Sequence, residues 1–305
     1  MSFRVLSSLN SPPLVTAAGA ALVASVPLVN VGALSLGALQ AANALAFATN
    51  VTAVSVPGRM DGAQDAKMRG GDWNPHEDDL KAKAGDNIVQ ASRDRTLVAP
   101  AGWAFAIWGP IYLGEAIFCA STLYDPTIQA ALPSLTVPFV AANLTQSLWC
   151  ASFRPSYAHG WHKYVSVLML GGTAVSLSQV PFGTGSLYMI PLAMHFGWTT
   201  AATLVNLNGS IAMSDDVSET TLISAGHASS LVATALGVGV TLSYSLPAYG
   251  FTIAWALAAC ANGMRVKPDD DKASSSLKTG AKVQKMLLTT GSLISAGASI
   301  YTLVM

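Results

Sequence analysis

Charge is what this sequence has least of. Only 10% of its 305 residues are Asp, Glu, Lys or Arg, against roughly a quarter in soluble domains. Between Thr96 and Met264 the charged residues are Glu115, Asp125, Arg154, Lys163, Asp215, Asp216 and Glu219 alone. A water-soluble fold cannot cover its surface over that length with so few, so lipid is the expected solvent. An excess of one sign is missing too: 16 basic residues balance 16 acidic ones, which argues against a nucleic-acid partner. Cysteine is scarce. Cys119, Cys150 and Cys260 each fall in an apolar run, without CxxC spacing or a disulfide frame, and read as small buried hydrophobes. The sequence has no P-loop, no GxSxG elbow, no HExxH, and no convincing internal repeat of the transporter kind. Enzymatic function is therefore disfavoured.

What the chain does have is apolar length. A helix needs roughly 20 mostly apolar residues to cross a bilayer. Seven such stretches follow residue 98, at about 100–122, 135–153, 163–180, 186–209, 222–244, 248–264 and 286–305. The expected fold is all-α, a polytopic transmembrane helical bundle. Ala, Gly, Ser and Thr abound in the spans, and such residues let membrane helices approach closely. Gly291, Ser295 and Ser299 recur every four residues and predict a packed seam. Lys and Arg test the topology independently. If every span crosses, the 57–98 segment and the 154–163 and 265–285 loops share one side. That side carries fifteen basic residues, and the loops near 125–134, 181–185 and 245–248 carry none. The asymmetry marks the 57–98 side as cytoplasmic or its organellar equivalent.

The chain ahead of these spans has two parts. Residues 1–56 are apolar from 12 onward and read either as a helical hairpin or as a targeting segment ending near Ala44-Leu45-Ala46, before Phe47. A targeting segment would suit a plastid or mitochondrial membrane. Residues 57–98 hold fifteen of the 32 charges and read as a solvated linker.

Polar groups inside spans are costly and merit individual attention. Residues 99–112 read APAGWAFAIWGPIY, and helical spacing puts Phe105, Trp108, Tyr112, Glu115 and Cys119 on one stripe. Glu115 is the only carboxylate well inside a span. It is expected either as a packed acid bonded to a neighbouring helix or as a functional group, neutral donor or charged partner. In the fourth span Pro191, His195, Trp198, Ala202 and Asn206 share a face. His195 and His227 are each a core residue or a ligand to a metal or pigment magnesium, the core reading being the commoner. His159 and His162 lack the two further ligands that zinc needs, so no metal site is expected. Asn143, Gln146 and Trp149 add polar groups that must find partners within the bundle.

Pro100, Gly102, Trp103, Phe105, Trp108 and Tyr112 resemble the first-helix signature of the TspO/MBR proteins, the tryptophan-rich sensory or translocator family. Trp198, Ala202 and Asn206 resemble its fourth-helix pattern, and Asn143 with Trp149 its second-helix pair. The resemblance covers roughly residues 99–210, with 222–244 as a fifth span. It differs in spacing, with three residues from Phe105 to Trp108 and six from Asn143 to Trp149. The loop at about 123–134, in the family's lid position, is short. The chain reads as a divergent, extended relative: a TspO-like unit over 99–244, then two further helices joined by a basic loop over 245–305.

The resemblance implies a pocket for a tetrapyrrole, a sterol or a similar flat apolar molecule. Trp103, Phe105, Trp108, Tyr112, Glu115, Asn143, Trp149, His195, Trp198 and Asn206 are its expected lining, with Ala202 leaving space. Aromatic faces suit planar ligands, and a few polar groups fix their orientation. The leading functional reading is a non-enzymatic membrane protein that binds, senses or helps move such a molecule. No cofactor is required beyond a tetrapyrrole ligand. Expected partners are the bilayer, the small molecule and, in a homodimer or membrane complex, other subunits. A structural or pigment-holding subunit of a photosynthetic type of complex is the alternative. A seven-helix solute carrier is weaker, because polar residues are sparse along the spans.

Overall fold

The computed structural model describes residues 8–55, 95–153, 155–157, 159–184, 186–214, 216–264, 266, 268 and 273–305. The segment 57–94 lies outside the described residues, as do Arg154, Arg265, Lys267 and Lys272 of the Lys/Arg asymmetry. Among the described residues all regular structure is helical. The α-helices are α1 (Pro12–Ser25), α2 (Leu36–Ser55), α3 (Trp108–Ser121), α4 (Pro126–Trp149), α5 (Val165–Ser178), α6 (Ile190–Ala212), α7 (Glu219–Tyr244), α8 (Pro247–Gly263) and α9 (Ser275–Val304). Seven follow residue 98, and among the described residues four apolar stretches have the length and composition to cross a membrane: Gly102–Ser121, Pro126–Ser152, Glu219–Tyr244 and Ser275–Val304.

Three boundaries differ from the sequence expectation, each for a local reason. The first span does not begin as an α-helix: Gly102–Ile107 is a 3₁₀ helix and the α-helix starts at Trp108. Pro110 has no N–H to donate, which suits the first turn of a helix, where that group has no intrahelical partner. The expected loop at 123–134 is largely helix. Asp125 accepts from the backbone N–H of Thr127 at 2.9 Å and of Ile128 at 3.4 Å, and Pro126 occupies the first turn. That cap starts α4 well before residue 135, so no lid loop lies there. The last helix also begins early. Ser274 caps it through Leu277 N–H at 3.1 Å, and Lys278, Lys282 and Lys285 ride on its first turns.

The Cα framework divides into two compact units, one drawn from Met1–Trp73 and Trp108–Thr199, the other from Asn74–Ile107 and Thr200–Met305. Helix α6 contributes its first ten residues to unit one and the rest to unit two.

In unit one, α2 and α4 run parallel. Asn43 Nδ2 donates to Thr136 Oγ1 at 3.0 Å and, one heptad on, Asn50 Nδ2 donates to Asn143 Oδ1 at 2.9 Å. Both pairs are offset by 93 residues, so the partners advance together. Helix α3 runs the other way, with Gln40 Nε2 donating to Thr122 O at 2.5 Å and Phe47 set edge-on to Tyr112 at 6.3 Å. Helices α1 and α5 flank α4, where Gly19 admits Met169 and Gly172 admits Val23 and Thr145.

Unit two is packed through small residues. A Cβ on Gly250 would meet the hydroxyls of Ser299 and Thr241, and one on Gly291 would meet Thr234. One on Gly237 would lie 2.6 Å from Ser295 Oγ. The expected Gly291/Ser295/Ser299 seam is thus the line along which α9 meets α7 and α8. Gly263 abuts the backbone of Ala99–Ala101, beside the hydrogen bond from Ala101 N to Ala259 O at 2.9 Å.

Candidate intramembrane site

Helices α3, α4 and α6 bring the chemistry of unit one together. The side chains of Glu115 and His195 are fully buried, and His195 Nδ1 lies 2.6 Å from Glu115 Oε1. These residues are 80 apart in sequence. Beside them the backbone of α3 closes on the Pro191 ring: a Cβ on Gly114 would lie 2.5 Å from Pro191 Cβ. Gly114 precedes Glu115 by one residue, and Pro191 precedes His195 by one helical turn. No lysine or arginine touches the Glu115 carboxylate among the described residues, and Glu115 Oε2 and His195 Nε2 have no hydrogen-bond partner there.

Aromatic rings surround this pair. Trp108 stacks on Tyr112, with centroids 5.0 Å apart and planes 11° from parallel. Its ring meets His195 edge-on at 5.7 Å and Trp198 edge-on at 6.0 Å. Contacts of this kind are worth about 0.5–1.5 kcal/mol each beyond the area they bury. A chain of amides continues from Tyr112. Gln146 Nε2 reaches the Tyr112 hydroxyl at 3.4 Å, and Gln146 Oε1 accepts from Asn50 Nδ2 at 2.8 Å. Asn50 also serves Asn143, whose own Nδ2 donates to Phe139 O at 3.0 Å.

Trp108, Tyr112, Glu115, His195 and Trp198 therefore converge, with Asn143 joined to them through Gln146 and Asn50. Trp149 is buried at the end of α4. The remaining expected lining residues belong to unit two. Trp103 and Phe105 are about half exposed and sit on the 3₁₀ segment, so the stripe drawn through Phe105 holds only from Trp108 onward. Trp103 packs edge-on to Trp255 at 4.7 Å, and the Trp255 indole N–H donates to Ala104 O at 3.0 Å. Asn206 turns its amide back onto Ala202 O of its own helix at 2.8 Å, and both are partly buried. His227 Nε2 lies 3.1 Å from Gly280 O, so that nitrogen is engaged by backbone. Among the described residues no three His, Cys, Asp or Glu gather as a metal site.

Asn43 and Asn50 were hidden from sequence reading because their segment was open to a targeting interpretation. Their signal was there: Gln40, Asn43, Phe47 and Asn50 fall on one helical stripe, as do Thr136, Phe139, Asn143 and Gln146.

The fold and composition define an integral, all-helical membrane protein. Its sequence matches the profile of the family described as TSPO-like protein over residues 80–294, more than two thirds of its length, and the chain belongs to that family. The match runs on through most of the stretch beyond residue 244. No curated protein and no solved structure matches the chain.

Proposed function

We propose that this membrane protein binds a flat hydrophobic small molecule, tetrapyrrole or sterol-like in shape, and senses it or helps it move without transforming it. The observation that carries the reading is the convergence of Trp108, Tyr112 and Trp198 around the buried Glu115–His195 pair. Large rings supply area for a planar ligand, and a small set of polar atoms supplies orientation. Membership in a family of membrane proteins suited to hydrophobic ligands supports it. On the Lys/Arg asymmetry, the 57–98 segment faces the cytoplasm or its organellar equivalent.

Titration of the purified protein with protoporphyrin IX, followed by the porphyrin absorbance band, tests the proposal. Saturable binding is expected. It should weaken at least tenfold in Trp108→Ala/Trp198→Ala and persist in Trp103→Ala. Unsaturable binding, or affinity indifferent to the double replacement, would sink it.

A further inference from the structure

The Glu115–His195 pair constrains where its protons lie, and so what its free nitrogen offers. Two considerations fix this. The contact is 2.6 Å long. A neutral acid accepting at Oε1 from a neutral imidazole would keep its own proton on Oε2, which is buried and has no partner among the described residues. That arrangement is thereby disfavoured. Second, both side chains are fully buried and no basic side chain touches the carboxylate among the described residues. A carboxylate facing a neutral imidazole would bury a net negative charge, which is strongly unfavourable. Two arrangements remain. Either the Glu115 acid donates to Nδ1, or the carboxylate accepts from the imidazolium. In both, the imidazole proton balance puts a hydrogen on Nε2.

We infer that His195 presents Nε2 as an N–H donor within the aromatic site, so the site selects planar apolar ligands that carry an oxygen acceptor and does not ligate a metal. The inference rests on the ligand-binding reading of the same site. The Nε2 atom is buried and has no partner among the described residues, and a buried donor left unpaired is unfavourable. A ligand oxygen that meets it recovers that penalty. A ligand without one leaves the donor buried and unsatisfied. This chemistry also opposes the pigment-ligand role considered for His195, since a magnesium or iron centre needs a bare nitrogen lone pair.

The test uses three porphyrins on the full chain. Protoporphyrin IX dimethyl ester offers uncharged carbonyl acceptors, octaethylporphyrin offers no oxygen, and zinc octaethylporphyrin offers a metal. The expected result is about tenfold tighter binding of the ester than of octaethylporphyrin. The preference should vanish in His195→Phe, which keeps a flat ring without the donor. The zinc porphyrin should gain no axial-imidazole band. Equal affinities in the wild type, a preference that survives His195→Phe, or an axial band lost in that variant overturns the donor assignment while leaving ligand binding intact. Failure of all three porphyrins to bind overturns both readings. Independently of any ligand, ¹⁵N-histidine NMR of the wild type should show Nε2 of His195 carrying a proton, and a bare Nε2 refutes the assignment.

Discussion

The two units use the same helical weave with opposite materials. In each, two parallel helices are joined by a third running against them: α2 and α4 with α3 in unit one, α7 and α9 with α8 in unit two. Unit two closes on glycine and hydroxyl residues, and two of its amides pair with hydroxyls of a neighbouring helix. Gln284 Nε2 donates to Ser230 Oγ and Asn208 Nδ2 to Ser229 Oγ, each at 2.7 Å. Unit one instead brings together amides, large aromatics and an acid–imidazole pair. Small-residue packing gains its energy from close approach and needs nothing further. Buried polar atoms without a partner among the described residues occur in both units. Those of unit two, Thr241 Oγ1, Gln284 Oε1 and Ser295 Oγ, are hydroxyl and amide oxygens, whereas unit one adds an acid oxygen and an imidazole nitrogen, Glu115 Oε2 and His195 Nε2. On the proposed reading the ligand chemistry lies in unit one, while unit two is packed on small residues.

The largest test of that contrast is His195→Ala. It leaves the buried Glu115 alone and should cost about 3 kcal/mol, where the ranges for an orphaned neutral group and a broken buried pair meet. Unfolding in mixed micelles reads this. A loss under 0.5 kcal/mol, the scale of an ordinary surface change, would show that the pair is not a structural bond. Gly250→Ala comes next, at about 1–3 kcal/mol from overpacking against Ser299 and Thr241. The folded fraction should keep wild-type porphyrin affinity, and a drop there would erase the distinction between scaffold and site. Smallest is Asn50→Leu, at about 0.6–1.7 kcal/mol for an intramembrane hydrogen-bonded group. It should also weaken porphyrin binding severalfold through Gln146 and Tyr112; unchanged affinity would detach the amide chain from the site.

Periodicity made half of each functional face readable. Trp108, Tyr112 and Glu115 fall on one stripe because the helix is regular from Trp108, and His195 and Trp198 share a face for the same reason. The seam at Gly291, Ser295 and Ser299 was equally plain. Periodicity says nothing about which stripe meets which, so a bond spanning 80 residues could not be read. Nor does it register a change of helix type, and the 3₁₀ turn from Gly102 to Ile107 therefore moved Phe105 off the expected face. The start of α4 was missed for a related reason. Asp125-Pro126 reads equally well as a break and as a cap, and only the two backbone N–H groups at Asp125 decide between them.

The contact between Gly114 and Pro191 gives this site a fingerprint of its own. Any side chain at 114 larger than hydrogen would press on the proline ring and part the acid from the imidazole. The proline, for its part, stands in the first turn of α6, where its missing N–H removes no intrahelical bond. What travels with the chemistry is therefore a paired phrase: Gly-Glu in one apolar helix, and Pro followed four residues later by His in another. A genome search for that couplet, blind to the tryptophans, would gather other chains able to hold the same proton.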